Sequence, residues 1–244
     1  MRQAWLIVAL VCVCGCKQNT ATPVSPTPPT NGSSAIRVLM LTATAGFRHD
    51  AIATAREVMS ASGFSVTPTE DLSRFSAAAL SDIDVIMFAL TSGELPFTAA
   101  QRTALIDAVN SGKGFVGIHS ATDTLYEFPD YGRLVGAYFK EHPWTQQARV
   151  LVEDASHPAT GIRDAFTLEE EFYTFRENPR GRVQVLLRLD AASVNTTGDY
   201  PLAWAHSFGN GRAYYNALGH FPATWRDTRF QNQLAAAIRW VANK

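Results

Sequence analysis

Two apolar periodicities alternate along the first half of the chain. Ile36–Leu41 and Asp84–Leu90 are short apolar runs, and Gly114–Ile118 is another with β-branched Val116 and Ile118. Such runs predict strands buried on both faces, as in a parallel sheet. Phe64–Thr67 predicts a further, weaker strand. Between the runs the spacing lengthens to that of a helix. Ile52, Ala55, Met59 and Ser62 share one face before Gly63, and Leu105, Ile106 and Val109 do so before Gly112. Thr98 with Gln101 predicts a capping box for the second of these helices. A connection carrying a short helix is expected over Glu70–Ser81. Strand–helix alternation of this kind implies parallel strands joined by right-handed crossovers.

The rhythm changes after residue 125. Tyr126–Trp144 is aromatic and rich in loop residues, with a short helix expected around Gly132–Tyr138. Strands then dominate, at Ala148–Glu153, Phe166–Phe175, Val183–Leu189, Leu202–Ser207 and Arg212–Leu218. Asn210-Gly211 is a hairpin turn signal between the last two. A final helix is expected from near Asp227, with Phe230, Leu234, Ile238 and Val241 on one face.

The N-terminus follows a different logic. Arg2 precedes an apolar stretch, Ala4–Val13, of signal-peptide length and too short to span a bilayer comfortably. Val13-Cys14-Gly15-Cys16 is similar to a bacterial lipobox, which makes Cys16 the expected lipidated residue; a leader cleaved nearby without lipid is the alternative. Lys17 stands where an Asp would signal retention in the inner membrane, so the expected location is the cell envelope, on the periplasmic face of the outer membrane. Residues 17–35 carry four prolines and no aromatic side chain and read as a tether, leaving 36–244 as one domain. All three cysteines fall at positions 12, 14 and 16, so the domain has neither a disulfide framework nor a thiol nucleophile. A net charge of −1 over 244 residues gives no basic footprint for nucleic acid. No Gly-rich phosphate cradle follows the first strand, where Thr44-Ala45-Gly46-Phe47 stands, and no Walker loop appears, so no nucleotide is expected.

The stretch 114–124, GFVGIHSATDT, is the pivot of the chain. Its G-x-His-Ser-x pattern resembles the nucleophile elbow G-x-S-x-G, with His119 where the nucleophile would stand. Ligands of open α/β sheets bind at the carboxyl ends of the strands. His49 follows the first strand, His119 ends the fourth, and His220 follows the strand 212–218, so a parallel sheet brings the three to one rim. His142 lies in the aromatic stretch, and Glu170, Glu171 and Tyr173 on a later strand are placed to complete the rim. His157-Pro158 reads as a turn and His206 as a strand residue packed near Trp204. Asp123 and Thr124 can cap a turn, and Arg48 can pair with a carboxylate or hold a substrate hydroxyl.

Several segments together resemble the ThuA, or trehalose-utilisation, family. They are GFRHD (46–50), GFVGIHSATDT (114–124), LVGAYFKEHP (134–143), HP (157–158), EEFY (170–173), LAWAHSFGNGR (202–212) and YYNALGH (214–220). The resemblance implies a flavodoxin-like parallel sheet flanked by helices, as in class I glutamine amidotransferases, with an aromatic-rich insertion and added C-terminal strands. His220 then stands at a place similar to the amidotransferase histidine. With His119 at the elbow, glutamine hydrolysis through a thiolate is not expected. Glu170-Glu171-Phe172-Tyr173 departs from the family's usual Asp-Glu-Leu-Tyr, which lengthens the first carboxylate side chain.

The resemblance also implies disaccharide use, through 3-keto glycosides supplied by a sugar 3-oxidoreductase partner. Cleaving such a substrate takes a base for the acidic C2 proton, an electrophile for the enediolate and an acid for the leaving oxygen. His119, His220 and Glu171 are the expected catalytic groups. His49, Arg48, Ser120, Asp123, Tyr173 and Trp144 are the expected substrate contacts. A divalent metal such as zinc, held by some of His49, His119, His142, His220 and Glu171, is the candidate electrophile. No close His-x-His or His-x3-His spacing supports that ion. A non-catalytic sugar-binding lipoprotein is the alternative.

Overall fold

The structure is a computed structural model that describes residues 35–243, together with Met1 and residues 3–5. The chain divides into two units, Met1–Ser34 and Ala35–Lys244, and the second is the domain treated below. Cys16 and residues 17–34 of the tether lie outside the described residues. Among the described residues no helix is long and apolar enough to cross a membrane.

The domain is built on one nine-stranded sheet. Its elements, in chain order, are β1 (Arg37–Leu41), α1 (Ile52–Ser60), β2 (Ser65–Thr69), α2 (Ala77–Leu80), β3 (Val85–Ala89), α3 (Ala99–Asn110) and β4 (Gly114–Ile118). There follow α4 (Pro129–Val135), β5 (Phe139–Val152), β6 (Phe166–Phe175), β7 (Gln184–Leu189), β8 (Pro201–Phe208), β9 (Gly211–Asn216), α5 (Pro222–Arg226) and α6 (Thr228–Val241). The strand order is β2-β1-β3-β4-β9-β8-β7-β5-β6. Every pairing from β2 to β9 is parallel, which is the 2-1-3-4-5 order of the flavodoxin-like sheet with β9 in fifth place. Every pairing from β9 to β6 is antiparallel. The added strands therefore extend the parallel sheet by hairpins and do not form a second layer.

The central strands owe their place to their sequences. All five residues of β3 and of β4 are buried, which is why each reads as a continuous apolar run rather than an alternating one. The capping box forms as expected, with the Thr98 hydroxyl accepting from the Gln101 N–H and the Gln101 side chain returning to the Thr98 N–H. Asp227 caps α6, whose buried stripe includes Phe230, Leu234, Ile238 and Val241. Gly114 leaves room for this helix, since a Cβ there would lie 2.7 Å from a Val241 methyl.

Beyond strand ends moved by one or two residues, four features differ from the sequence reading. The short helix begins at Pro129 and is stopped by Gly136 at φ +98°, where the expectation was 132–138. Pro at the first turn and a left-handed Gly after the last are the signals that set it. The strand expected at Ala148–Glu153 begins at Phe139. Its first eleven residues pair only with β6, because β7 reaches no further than Val150. Such a two-stranded ribbon has little apolar alternation to read, and residues 140–143 are exposed. The hairpin turn is Gly209-Asn210, one residue early, because Phe208 pairs with Gly211 and Gly209 takes the positive φ of +57°. Ser62 lies beyond the end of α1 and is exposed.

Candidate functional site

The carboxyl ends of β1, β4 and β9 lie at one edge of the parallel sheet, and each is followed by a histidine: His49, His119 and His220. His119 has φ +52°, a conformation that costs an L residue energy and that turns its side chain sharply off the end of β4. The elbow resemblance thus extends to the backbone. Surrounding groups hold the turn. The Tyr215 hydroxyl donates to the His119 carbonyl at 2.7 Å, and the Thr122 hydroxyl does so at 3.3 Å. The imidazole is wholly buried, and its Nδ1–H donates to the Ala217 carbonyl at 2.7 Å. That bond fixes the tautomer and leaves the Nε2 lone pair facing the rim.

His220 is placed by Glu170, and this corrects the expectation that Glu170 completes the rim. Residues 170 and 171 point to opposite faces of β6. The Glu170 carboxylate is fully buried beneath the loop that carries His220. It accepts from the N–H groups of Glu171 (3.0 Å), Gly219 (2.9 Å) and His220 (3.0 Å), and from the Thr224 hydroxyl (2.7 Å). Glu171 is the carboxylate that reaches the rim. Its Oε2 lies 3.4 Å from His119 Nε2 and 3.1 Å from His220 Nδ1, while its Oε1 lies 3.3 Å from His142 Nδ1.

His119 Nε2 and His220 Nδ1 are themselves 3.3 Å apart. These two nitrogens and the Glu171 oxygen form a triangle whose edges match the roughly 3.3 Å donor–donor separation of a tetrahedral site with bonds of about 2.0–2.1 Å. His49 brings a further nitrogen, and one donor atom from each of His49, His119, Glu171 and His220 falls within 4.8 Å of all the others. A proton on His220 Nδ1 can serve both of its neighbours, and so can a cation in its place. Three imidazoles and one carboxylate suit zinc or a similar divalent ion. His142, expected among the ligands, stands outside this group: its side chain is half exposed and bonds the far oxygen of Glu171.

The cluster forms the wall of a cavity of about 210 Å³ lined by Phe47, His49, Asp123, Phe139, His142, Glu171, Tyr173 and His220. The Tyr173 ring lies over His119 with centroids 4.3 Å apart and packs on Phe139 at 4.4 Å. Asp123 accepts a hydrogen bond from the Tyr126 hydroxyl at 2.7 Å.

Burial and neighbouring charge set the proton affinities. Burial raises the Asp123 carboxyl, and the Tyr126 bond only partly offsets this. Burial would raise Glu171 too, but its contacts with the imidazoles of His119 and His220 hold it well below the usual carboxylate range. Burial would lower His220, yet the Glu171 carboxylate raises it above the ordinary imidazole value. His49 is pushed from 6.5 down to about 3, by burial first and by the other imidazoles second. The unfolded chain therefore takes up a proton near 6.5 that the folded chain refuses until about 3. With chelator present, stability is expected to fall as pH drops through that window, by up to about 1.4 kcal/mol per pH unit from this group. Urea midpoints of wild type and His49→Gln across the window check this, and the variant should show the shallower dependence.

Three expected substrate contacts, Arg48, Trp144 and Ser120, lie off the cavity. Arg48 points away from the cavity and pairs with Glu70 at 2.9 Å, which also binds Arg56. The carboxylate alternative is the one realised. Trp144 sits on the β5–β6 ribbon and packs edge-on against Tyr200 at 5.0 Å, so its apolar surface is used within the ribbon. Ser120 is buried, with Oγ 3.5 Å from His49 Nδ1, and lies behind the histidine without lining the cavity. His157 makes the expected turn, its Nδ1 accepting from the Ala159 N–H at 3.1 Å. His206 donates through Nε2 to the Arg133 carbonyl at 3.3 Å and lies off the cavity. Phe47 lines the cavity and was missed, because its neighbours Arg48 and His49 carry the more conspicuous chemistry.

A doubly wound parallel sheet extended by antiparallel strands, with a histidine in the elbow, defines a glutamine amidotransferase-like fold without the thiol. The chain belongs to the ThuA family, described as trehalose utilisation, whose model matches residues 37–241. It is similar to the crystal structure of a ThuA-like protein from Bacteroides uniformis, at 26% identity and a TM-score of 0.71, over 88% of this chain and 95% of that one. A ThuA-like protein from Parabacteroides merdae shares the fold at 19% identity and a TM-score of 0.70, over 86% and 90% of the two chains. Part of a β-galactosidase from Bacillus circulans sp. alkalophilus shares the fold alone, at 14% identity and a TM-score of 0.58, over 84% of this chain and 31% of that one. No curated protein matches. Membership places the chain in carbohydrate utilisation.

Proposed function

We propose that the chain is an enzyme that cleaves 3-keto sugar glycosides, lipid-anchored at Cys16 to the periplasmic face of the outer membrane and supplied by a sugar 3-oxidoreductase. The observation that carries this reading is the convergence of His119 Nε2, His220 Nδ1 and Glu171 Oε2, 3.1–3.4 Å from one another, on a cavity that also holds the Asp123 carboxyl. The pair of groups with displaced proton affinities is what α-proton abstraction next to a ketone requires.

The roles follow from the bonds. His220 donates through Nδ1 to Glu171, which leaves Nε2 as its basic atom, and the carboxylate strengthens that base. Nε2 takes the C2 proton, and the electron pair moves into the ketone to give an enediolate. The pair returns to form the C1–C2 double bond as the C1–O bond breaks. Asp123, whose proton affinity burial raises, is the acid that gives a proton to the departing oxygen. Water then adds across the double bond to release the free 3-keto sugar. His49, His119, His220 and Glu171 would hold a divalent cation such as zinc, which when bound polarises the keto oxygen as a Lewis acid. With the ion in place His220 Nδ1 becomes a ligand and its Nε2 carries the proton, so His142, outside the donor set and bonded through Nδ1 to the far Glu171 oxygen, serves as the base through Nε2, while Asp123 remains the acid.

The test is a panel of 3-keto glycosides with and without chelator, read as released alcohol or sugar. Turnover of at least one, suppressed by chelator and restored by zinc, is expected. Saturable binding without any product would favour instead the sugar-binding lipoprotein, a reading that the aromatic lining of Phe47, Phe139 and Tyr173 also suits.

A further inference from the structure

Phe47 is 65% exposed, and among the described residues of the domain it is the one large apolar side chain left so open. A single exposed apolar residue on a surface needs no explanation. Three observations set this one apart. It lines the cavity that holds the histidine cluster. Its ring stands edge-on to His49, with centroids 4.8 Å apart at 82°. And its backbone is pinned: the Ser92 hydroxyl donates to the Phe47 carbonyl at 2.6 Å, while the Ser92 carbonyl accepts from the N–H groups of Ala45 (2.8 Å) and Gly46 (3.2 Å). The loop is further closed by Gly93, where a Cβ would lie 2.6 Å from the Gly46 nitrogen. Phe47 is thus held out into water by a braced loop at the rim of the site, and it gains almost no burial there.

The size of the cavity says what such a platform is for. At about 210 Å³ it falls below the roughly 300–1,000 Å³ of pockets that enclose a drug-sized ligand. There is room for one pyranose ring and not for two. A disaccharide that places its oxidised ring against the cluster must leave its second ring outside, at the rim. The apolar face of that ring then meets an aromatic face already fixed in position, which lowers the ordering cost of binding.

We infer that Phe47 is the stacking platform for the leaving-group sugar, so that the site takes a terminal keto sugar inside and selects substrates whose aglycone is itself a ring. The inference rests on the proposed 3-keto-glycoside reading and adds to it a specificity-determining residue: Phe47 favours ring-bearing leaving groups, aryl as well as sugar, over simple alkyl ones.

The experiment compares 3-keto-trehalose with methyl 3-keto-α-glucoside on the full chain, in wild type, Phe47→Ala and Phe47→Tyr. The ratio of kcat/KM for the disaccharide to that for the methyl glycoside is expected to fall about tenfold in Phe47→Ala, mostly through KM, and to return in Phe47→Tyr. An unchanged ratio in Phe47→Ala, with turnover retained, overturns the platform and leaves the reaction standing. If the wild type turns over neither compound, the reaction has failed instead, and calorimetric titration with the same two compounds decides the platform. A preference of wild type for 3-keto-trehalose that Phe47→Ala abolishes supports it, and equal affinities in wild type and variant overturn it.

Discussion

Replacing His119 by Asn is expected to lower turnover of a 3-keto glycoside by about three orders of magnitude, with sugar affinity within about fivefold of wild type. Asn is the informative variant because its backbone tolerates the positive φ of +52° at this position. Its amide can also take over donation to the Ala217 carbonyl, which His119 Nδ1 otherwise supplies. What Asn lacks is the Nε2 that meets His220 and Glu171. His119→Ala is expected to lose as much turnover and to be less stable as well, since it strands a buried carbonyl and opens a hole under Tyr173. Steady-state kinetics and titration with a non-cleavable glycoside measure the two effects separately. A binding protein would show a change of affinity with no turnover to lose.

The second large effect concerns stability. Glu170→Ala is expected to cost about 3–5 kcal/mol, because three backbone N–H groups and the Thr224 hydroxyl lose their common acceptor in a site with no exposure to solvent. For a domain of this size that is a fall in Tm on the order of 10 °C. Glu170→Gln keeps an acceptor oxygen but turns an NH2 toward the donors, and should cost about half as much. Equilibrium urea unfolding of the two variants gives both numbers. The Ala variant should lose activity out of proportion to its folded fraction, since this carboxylate ties the loop that carries His220 to β6. A loss under about 1 kcal/mol would mean that the donors find other partners and that Glu170 is no brace.

The legible and illegible parts of this chain divide along physical lines. The parallel half was readable because burial on both faces forces continuous apolar runs, and because Thr98, Gln101 and Asp227 mark helix starts with local chemistry. The three-histidine rim followed from topology: parallel strands put their ends at one edge, whatever the loops between them do. The ribbon Phe139–Gln147 was invisible as a strand because it faces water over much of its length and its register is broken around Glu141. Glu170 and Glu171 look alike in sequence. Only the pairing of β6 with β5 shows which carboxylate meets the histidines and which meets backbone donors. Arg48 lies off the cavity because the side chain of Glu70, distant in sequence, claims the guanidinium. Trp144 was claimed in the same way by Tyr200. Partners distant in sequence decide these cases, and no local pattern encodes them.

The most direct test is proton NMR of 3-keto-trehalose incubated with the full chain in D2O. Abstraction of the C2 proton at the histidine cluster predicts free glucose together with 3-ketoglucose carrying deuterium at C2, formed by wild type and not by His119→Asn. Recovery of intact, undeuterated 3-keto-trehalose from the wild type, with zinc supplied, would contradict the account.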